Sequence, residues 1–443
     1  MAIALWTSAA SADPPLSIIP TLKQHLADTA DTWESNRRRM IALQEELDWQ
    51  TYGCYRLADS TAGEARGSLV CAGEPPEIAL GERAFEIVLA RKVAAGDLST
   101  TWFERHGSTP LTDIPSHWPA ACREIVERRI KAIETNPAIG LIEQPEYKRR
   151  WNTPSWADQQ AAALETFLLD RLERLFDFDG RMNEAHAVTA VLPQALISVG
   201  TLADAASRDP LFMEAAELFV GQVGFDVTSL VGGLVDATAV PLLPVCRYKA
   251  SGLRKHADWK RTWELQRAED AIDARTTLPE GDPQKLTTLA ADALKAKEIG
   301  DIPVPPKYTS ADFAHATFWK HRGKLDVPKE RFVSFPGVVG GDGTPMIAWA
   351  GLDHLQLAKA IGDFYGLVQT ELGGSDDPRL VPLLACLHEL IPWIRQWHAG
   401  ASPLYGGEPA AFFADLLRSE AAAMGKTVPD LLAWEPPKKT RTK

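Results

Sequence analysis

The stretch that most restricts what this chain can fold into is residues 378–398, PRLVPLLACLHELIPWIRQWH. Apolar residues occupy it almost all round, from Leu380 through Leu387 and Ile391 to Trp397, instead of forming one stripe. A helix with that pattern must be wrapped by other elements. No apolar run in the chain is long enough to span a bilayer, so the wrapping is protein and not lipid. Residues 378–398 therefore read as the buried central helix of a C-terminal domain, kinked where Pro392 lacks a backbone donor. Residues 351–371 before it and 409–424 after it read as further helices.

Helical patterns dominate elsewhere too. Residues 22–57 read as one long helix with Leu26, Ala30, Trp33, Met40, Leu43 and Leu47 near one face. Its basic run, Arg37, Arg38 and Arg39, is either solvated or phosphate-facing. Residues 58–76 have linker composition. Residues 81–95 and 119–135 read as helices, the second setting Arg123, Arg128, Arg129 and Lys131 opposite Ile125, Val126, Ile130 and Ile133. Trp102, Phe103 and His106 fall in loop between them. Residues 156–176 are an amphipathic helix with Leu164, Phe167, Leu168, Leu172, Leu175 and Phe176 inward. Residues 183–243 are mostly helix, broken near Pro193, Pro210 and Gly232-Gly233. A short extended run follows at 240–245, then a helix on which Trp259 and Trp263 read as core. Thr309 to Asp312 resembles a capping box opening a helix through Lys320. Residues 331–335 form a strand ended by Pro336-Gly337, and 338–349 a hairpin turning at 340–343. The expected fold is mainly α with a small antiparallel β element, an α+β arrangement, and a basic, disordered tail closes it at 438–443.

With 443 residues and a net charge of −12, the chain is no uniformly basic nucleic-acid coat, but local patches remain open. Three segments concentrate cations. Arg247, Lys249, Arg254 and Lys255 follow the run at 240–245. His321, Arg322, Lys324, Lys329 and Arg331 precede the strand at 331–335. Both adjoin extended runs, which suggests that they lie side by side at one end of a small sheet and face DNA or another anionic partner. The alternative is a structural corner whose charges are solvated or paired with nearby acids. Lys148, Arg149 and Arg150 lie between Tyr147 and Trp151, a pattern that suits phosphates with stacked bases and equally suits cation–π packing without a ligand. The five cysteines form no CxxC pair, so no zinc ribbon or disulfide framework is expected, and a reducing cytoplasm is the default.

Four phrases carry a family resemblance: RGKLDVPKERF at 322–332, IEQPEYKRRW at 142–151, VPLLPVCRYKASGLRKHADWKRTWELQRAED at 240–270 and AWAGLDHLQ at 348–356. They resemble the C-terminal region of the PglX family, the adenine-specific DNA methyltransferases of type 2 BREX phage-defence systems. The resemblance runs from about residue 32 to 437. ELDWQTYGCYRL at 46–57 looks like a phrase near the end of target-recognition regions in fused methyltransferases. The resemblance implies this organisation: 1–60 the end of an upstream domain plus the long helix, 61–155 a helical connector, 156–437 the helical C-terminal domain. Ala2 to Leu5 then reads as the last strand of an upstream domain.

The chemistry of such an enzyme is not found in this sequence. Adenine-N6 transfer needs a glycine-rich loop for S-adenosylmethionine and an Asn/Asp/Ser-Pro-Pro-aromatic motif for the flipped base. Pro14-Pro15 is followed by Leu16, Pro305-Pro306 is preceded by Val304, and Pro75-Pro76 and Pro436-Pro437 fit no better. No P-loop, HExxH or GxSxG occurs. The expectation is a chain with no catalytic, cofactor-binding or metal-binding residue and no complete Rossmann-like methyltransferase domain. Cofactor would be held elsewhere in a full-length enzyme. Its partners would be DNA, an upstream methyltransferase domain or other phage-defence proteins, with no membrane. The competing readings are a separately encoded interaction module and an unrecognised enzyme.

Overall fold

The computed structural model describes residues 19–57, 68–151, 153–176, 192–193, 195–323 and 330–436. The expected tail and the expected strand at Ala2 to Leu5 lie outside them. The chain divides into two compact units, Met1–Ala163 and Leu164–Lys443.

The first unit is helical: α1 (Ile19–Cys54), α2 (Ala84–Ala94), α3 (Trp102–His106), α4 (Ala120–Thr135) and α5 (Pro137–Ile142). Trp102, Phe103 and His106, expected in loop, form α3, which stops at Gly107 with φ at 59°. Glycine takes that left-handed conformation without strain. The long helix is present and Leu26 is buried as expected, but farther along the buried face differs from the expected one. Ile41, Ala42 and Trp49 are buried, whereas Met40, Leu43 and Leu47 are 51%, 50% and 55% exposed. The reason is electrostatic. The inward face also carries Glu45 and Glu46, which find cations inside the unit, and apolar periodicity does not register such a face. Ile41 and Trp49 join Phe85, Ile87 and Val88 of α2 and Val126 and Ile130 of α4 in one core.

The second unit begins within α6 (Trp156–Arg174), whose expected inward residues are all buried. Helices α7 (Val199–Ser207), α8 (Pro210–Val220), α9 (Val227–Thr238), α10 (Ala250–Ala274) and α11 (Thr288–Glu298) follow. Gly232-Gly233 does not break the chain but lies inside α9. Asp209 and Asp226 cap α8 and α9 by accepting from backbone N–H groups.

Four strands form one sheet in the order β1-β4-β3-β2: β1 (Ile197–Ser198), β2 (Ala239–Pro241), β3 (Phe332–Val339) and β4 (Pro345–Trp349). β3 and β4 are the expected hairpin, but β2 pairs with β3 in parallel, so the sheet is mixed, not antiparallel. The strand does not end at Pro336-Gly337. β3 continues through them with a register shift between Ser334 and Val339. Gly337 has φ at 80°, and a Cβ there would meet the Trp434 ring at 2.8 Å.

The central helix α13 (Leu380–Trp397) contains Pro392 and is buried as expected along most of its length, with Leu383, Leu387 and Ile394 at 0–1% exposure, but its last residue, Trp397, is 64% exposed. Packed with it in one core are Ile361 and Phe364 of α12 (His354–Leu367), Phe413 and Leu417 of α14 (Pro409–Ala423), and Phe335, Val338 and Met346 of the hairpin. Each fully buried Leu or Ile of this kind contributes about 1.5–3 kcal/mol.

The expected helix from Thr309 to Lys320 is fragmented. Thr309 and Asp312 make the capping box, but only a 3-10 turn follows, then Ala316–Phe318 and a π-turn at Trp319–Gly323. The cause is tertiary. Phe313 is held extended by a bridge to Tyr248, with Lys249 N–H donating to the Asp312 carbonyl at 2.8 Å and Ala314 N–H to the Arg247 carbonyl at 2.9 Å.

Candidate nucleic-acid interface

Those backbone bonds bring the segments around Arg247 and Phe313 together in the second unit. The strand order does not put the two basic segments at one end of the sheet. In the parallel β2–β3 pair, the residues after β2 and those before β3 belong to opposite strand ends. Most of the cations are also internally committed. Arg247 is buried and donates to the Pro241 carbonyl at 3.0 and 2.8 Å and to the Leu242 carbonyl at 2.7 Å. Lys255 pairs with Asp312 at 2.7 Å. His321 is buried, with Nε2 3.0 Å from the Ala237 carbonyl oxygen. Arg322 pairs with Glu330, and Arg331 with Glu173 and, at 2.6 Å, with Asp170. Lys324 and Lys329 lie outside the described residues. Lys249 and Arg254 are exposed, and no ion pair involves either among the described residues.

An aromatic cluster fixes this region. Tyr248 stacks on Tyr308 at 5.1 Å and meets Phe313 edge-on at 5.0 Å, and Phe313 lies 5.5 Å from Trp319. Trp259 and Trp263 pack against Trp393 at 5.4 and 6.2 Å, in keeping with the structural role expected of them. Beside them Glu389, although burial opposes its charge, is held down to about 2 by His256 and Lys260.

In the first unit, Lys148 is the surprise. Its ammonium is 3% exposed and lies 2.7 Å from Asp48, 2.8 Å from Glu143 and 3.5 Å from Glu45. Burial opposes the charge, but Glu45 and Glu143 outweigh it and raise the pKa above the ordinary lysine value. Tyr52 Oη also donates to Glu143, at 2.7 Å. Three acids on one lysine overload the site with negative charge. Burial, with help from Glu143, pushes the Glu45 carboxyl up to about 7 against the pull of Lys148. A second buried pair, Arg83 and Glu86 at 2.9 Å, lies in the same core, where Glu86 also accepts from Trp102 Nε1 at 2.9 Å. Sequence reasoning missed these acids. Glu45, Asp48 and Tyr52 recur at three- and four-residue spacing on α1, a polar stripe that was the available signal.

The neighbouring cations differ from Lys148. The Arg149 guanidinium lies 4.2 Å from the Trp151 ring centroid, and Arg149 and Arg150 are both exposed. Trp151 itself has φ at 49°, a rare conformation for a bulky residue. Arg37 and Arg38 pair with Glu34 at 2.9 and 3.1 Å, and Arg39 with Glu74 at 2.8 Å. Arg129, expected on a surface, is buried and donates to Glu46 at 2.6 Å and to the Leu69 carbonyl at 2.8 Å.

Beside this network opens a cleft of 820 Å³. Buried Phe85, Trp102 and Ile133 and exposed Lys92, Arg105 and Arg150 are among its lining residues. Among the described residues, no group of three or more His, Cys, Asp or Glu is placed to hold a metal ion. None of the described helices is long and apolar enough to cross a membrane.

A family model described as a domain of unknown function (DUF7008) matches residues 40–443. The chain is also 44% identical over 422 residues to an adenine-specific methyltransferase PglX of Streptomyces coelicolor, a match covering 94% of this chain and 31% of that protein. It thus spans about a third of that relative's length, and the resemblance carried by the four phrases is borne out. No solved structure matches the chain.

Proposed function

We propose, from the premise that this chain belongs to the DUF7008 domain family, that it is the C-terminal contacting region of an adenine-specific DNA methyltransferase of the PglX kind. In this reading it holds DNA, or the remainder of such an enzyme, in the cytoplasm as part of phage defence. Cofactor binding and methyl transfer lie in the part of the enzyme that this chain does not span. The observation that carries the reading is the 44% identity over nearly the whole chain to a protein about three times as long.

The geometry supports a contacting role through a few side chains only. Lys249 and Arg254 on the second unit, and Arg149 and Arg150 on the first, keep their charges at the surface. Such cations bind phosphates, set register and displace counterions, without reading sequence. Lys148, Arg247 and His321 hold the fold together and leave the contact to their neighbours. Met40, Leu43 and Leu47, half exposed at helical spacing on α1, supply an apolar stripe suited to a protein surface.

The test is fluorescence anisotropy of a labelled duplex titrated with this chain at several salt concentrations. Saturable binding whose logarithm falls linearly with the logarithm of salt supports DNA contact. Absence of binding at low salt would turn the assignment to a purely protein-contacting module.

A further inference from the structure

We propose that the buried cluster around Lys148 is a pH-sensitive latch: Glu45 carries a proton that it donates to Glu143, and losing that proton as pH rises loosens the hold of α1 on residues 148–151. The proposal does not depend on DNA contact by any residue.

The cluster is unequal. Glu45 and Asp48 of α1, and Glu143 just after α5, all lie within 3.5 Å of the one Lys148 ammonium. The charged groups on the other elements packed here are already matched. Arg83, before α2, is paired with Glu86 at 2.9 Å, and Arg129 of α4 with Glu46 at 2.6 Å. Burial pushes the Tyr52 phenol up, so it enters the cluster as a neutral donor. Buried charge that no partner balances is expensive, and the cheapest relief is to keep one carboxyl protonated.

The hydrogen bonds say which carboxyl that is. Asp48 accepts from Lys148 at 2.7 Å and from Gln44 at 2.8 Å, and it is partly open to water. Glu143 Oε1 accepts from Tyr52 at 2.7 Å and from Lys148 at 2.8 Å. Glu45 is as deeply buried as Glu143 and has only the longer contact with Lys148, at 3.5 Å. It is the least supported carboxylate of the three. Its Oε2 and the Oε2 of Glu143 are both buried without a hydrogen-bond partner. Two orphan acceptors in one cluster are relieved together when one of them gains a hydrogen and becomes a donor. Burial and the nearby Glu143 charge act in the same direction on Glu45.

What the cluster holds is the segment that displays Arg149 and Arg150. Lys148 ties its start to α1, and Arg83 Nη1 donates to the Arg149 carbonyl at 2.8 Å. At its end Trp151 is buried with φ at 49°, a conformation that persists only where the surroundings impose it. Ionised Glu45 adds a buried negative charge beside Glu143 and Asp48. The repulsion acts on the joint between α1 and this segment, so the segment opens more often when the proton is gone.

The test compares the 443-residue chain with Glu45→Gln, whose amide keeps an N–H donor in place of the proton at every pH. Infrared spectra of both proteins at about pH 6 and about pH 8 are subtracted. The parent should show one protonated-carboxyl band that fades toward the higher pH, and the variant should lack it. Trypsin cleavage after Arg149 and Arg150, identified by mass, reads the latch. The ratio of parent to variant cleavage rates should rise about tenfold from about pH 6 to about pH 8, the change expected one pH unit above the midpoint. Taking the ratio cancels the pH dependence of trypsin itself. Asp48→Asn removes a like charge and should move the midpoint of the parent band to lower pH; it decides the matter if Glu45→Gln does not fold. The proposal is overturned if the parent has no such band or the band survives in Glu45→Gln. It is overturned equally if the cleavage ratio stays flat, or if the midpoint in Asp48→Asn does not fall.

Discussion

Replacing Lys148 by Met tests the buried network of the first unit in a way that separates charge from packing. Methionine keeps most of the stem near the Phe85 ring, over which the ammonium lies at 5.6 Å. It removes the only cation within 4 Å of Glu45, Asp48 and Glu143 among the described residues. Breaking a buried pair from one side leaves uncompensated charge and costs about 3–5 kcal/mol. For a unit of this size that lowers the melting temperature by about 10 °C. The loss should depend on pH. Burial raises the Glu45 carboxyl from an ordinary 4.5 to about 7, so the folded state binds this proton more tightly than the unfolded state. Its favourable effect on folding is therefore complete below pH 4.5 and is lost as pH climbs from 4.5 to about 7. At about pH 5 Glu45 is protonated in the fold and needs the lysine least; at about pH 8 it is ionised and needs the lysine most. Guanidinium unfolding followed by tryptophan fluorescence, for parent and variant at both pH values, gives the comparison. The predicted result is a destabilisation clearly larger at the higher pH. Equal losses at both pH values, or a loss below about 1 kcal/mol, would refute the assignment of Lys148 as the charge centre of the unit.

Further outcomes follow from the second unit. Leu387→Asp, at 1% exposure in the central helix, should unfold that unit by burying an unpaired charge, seen as loss of its cooperative thermal transition. Lys249→Glu with Arg254→Glu should weaken duplex binding and flatten its salt dependence in anisotropy, while the melting temperature stays within about 1–2 °C of the parent. Lys255→Glu should behave oppositely and lower the melting temperature, because it breaks the pair with Asp312, whose carboxyl Lys255 holds well below the usual range. Lys260→Met should raise the Glu389 carboxyl from about 2, shifting acid unfolding to higher pH; the pair contributes stability above pH 4.5 that is lost as pH falls toward 2.

The sequence revealed most where apolar residues alone decide the outcome. The all-round apolar run became α13, the inward residues of 156–176 are all buried, and the glycine-rich turn at 340–343 joins β3 to β4. It revealed least where ions go inside. Glu45 faces Lys148 from 103 residues away and Arg129 reaches Glu46 across 83, distances at which local spacing carries no information. The same holds for the parallel pairing of β2 with β3, set by residues 93 apart. The basic segments show the limit most clearly. Arg247 and Lys249 are two residues apart and equally cationic in sequence, yet one clamps two backbone carbonyls and the other faces water. Which of them is available to a partner is a property of the fold.

The central proposal, a contacting region without its own methyl-transfer site, is tested most directly by calorimetry. Duplex DNA and S-adenosylmethionine are titrated separately into this chain at low salt. Saturable heat is expected with DNA and none with S-adenosylmethionine, since micromolar cofactor binding, about 8 kcal/mol, requires an organised pocket, which the proposed function assigns to the part of the enzyme outside this chain. Micromolar binding of S-adenosylmethionine, with or without a DNA signal, would contradict it.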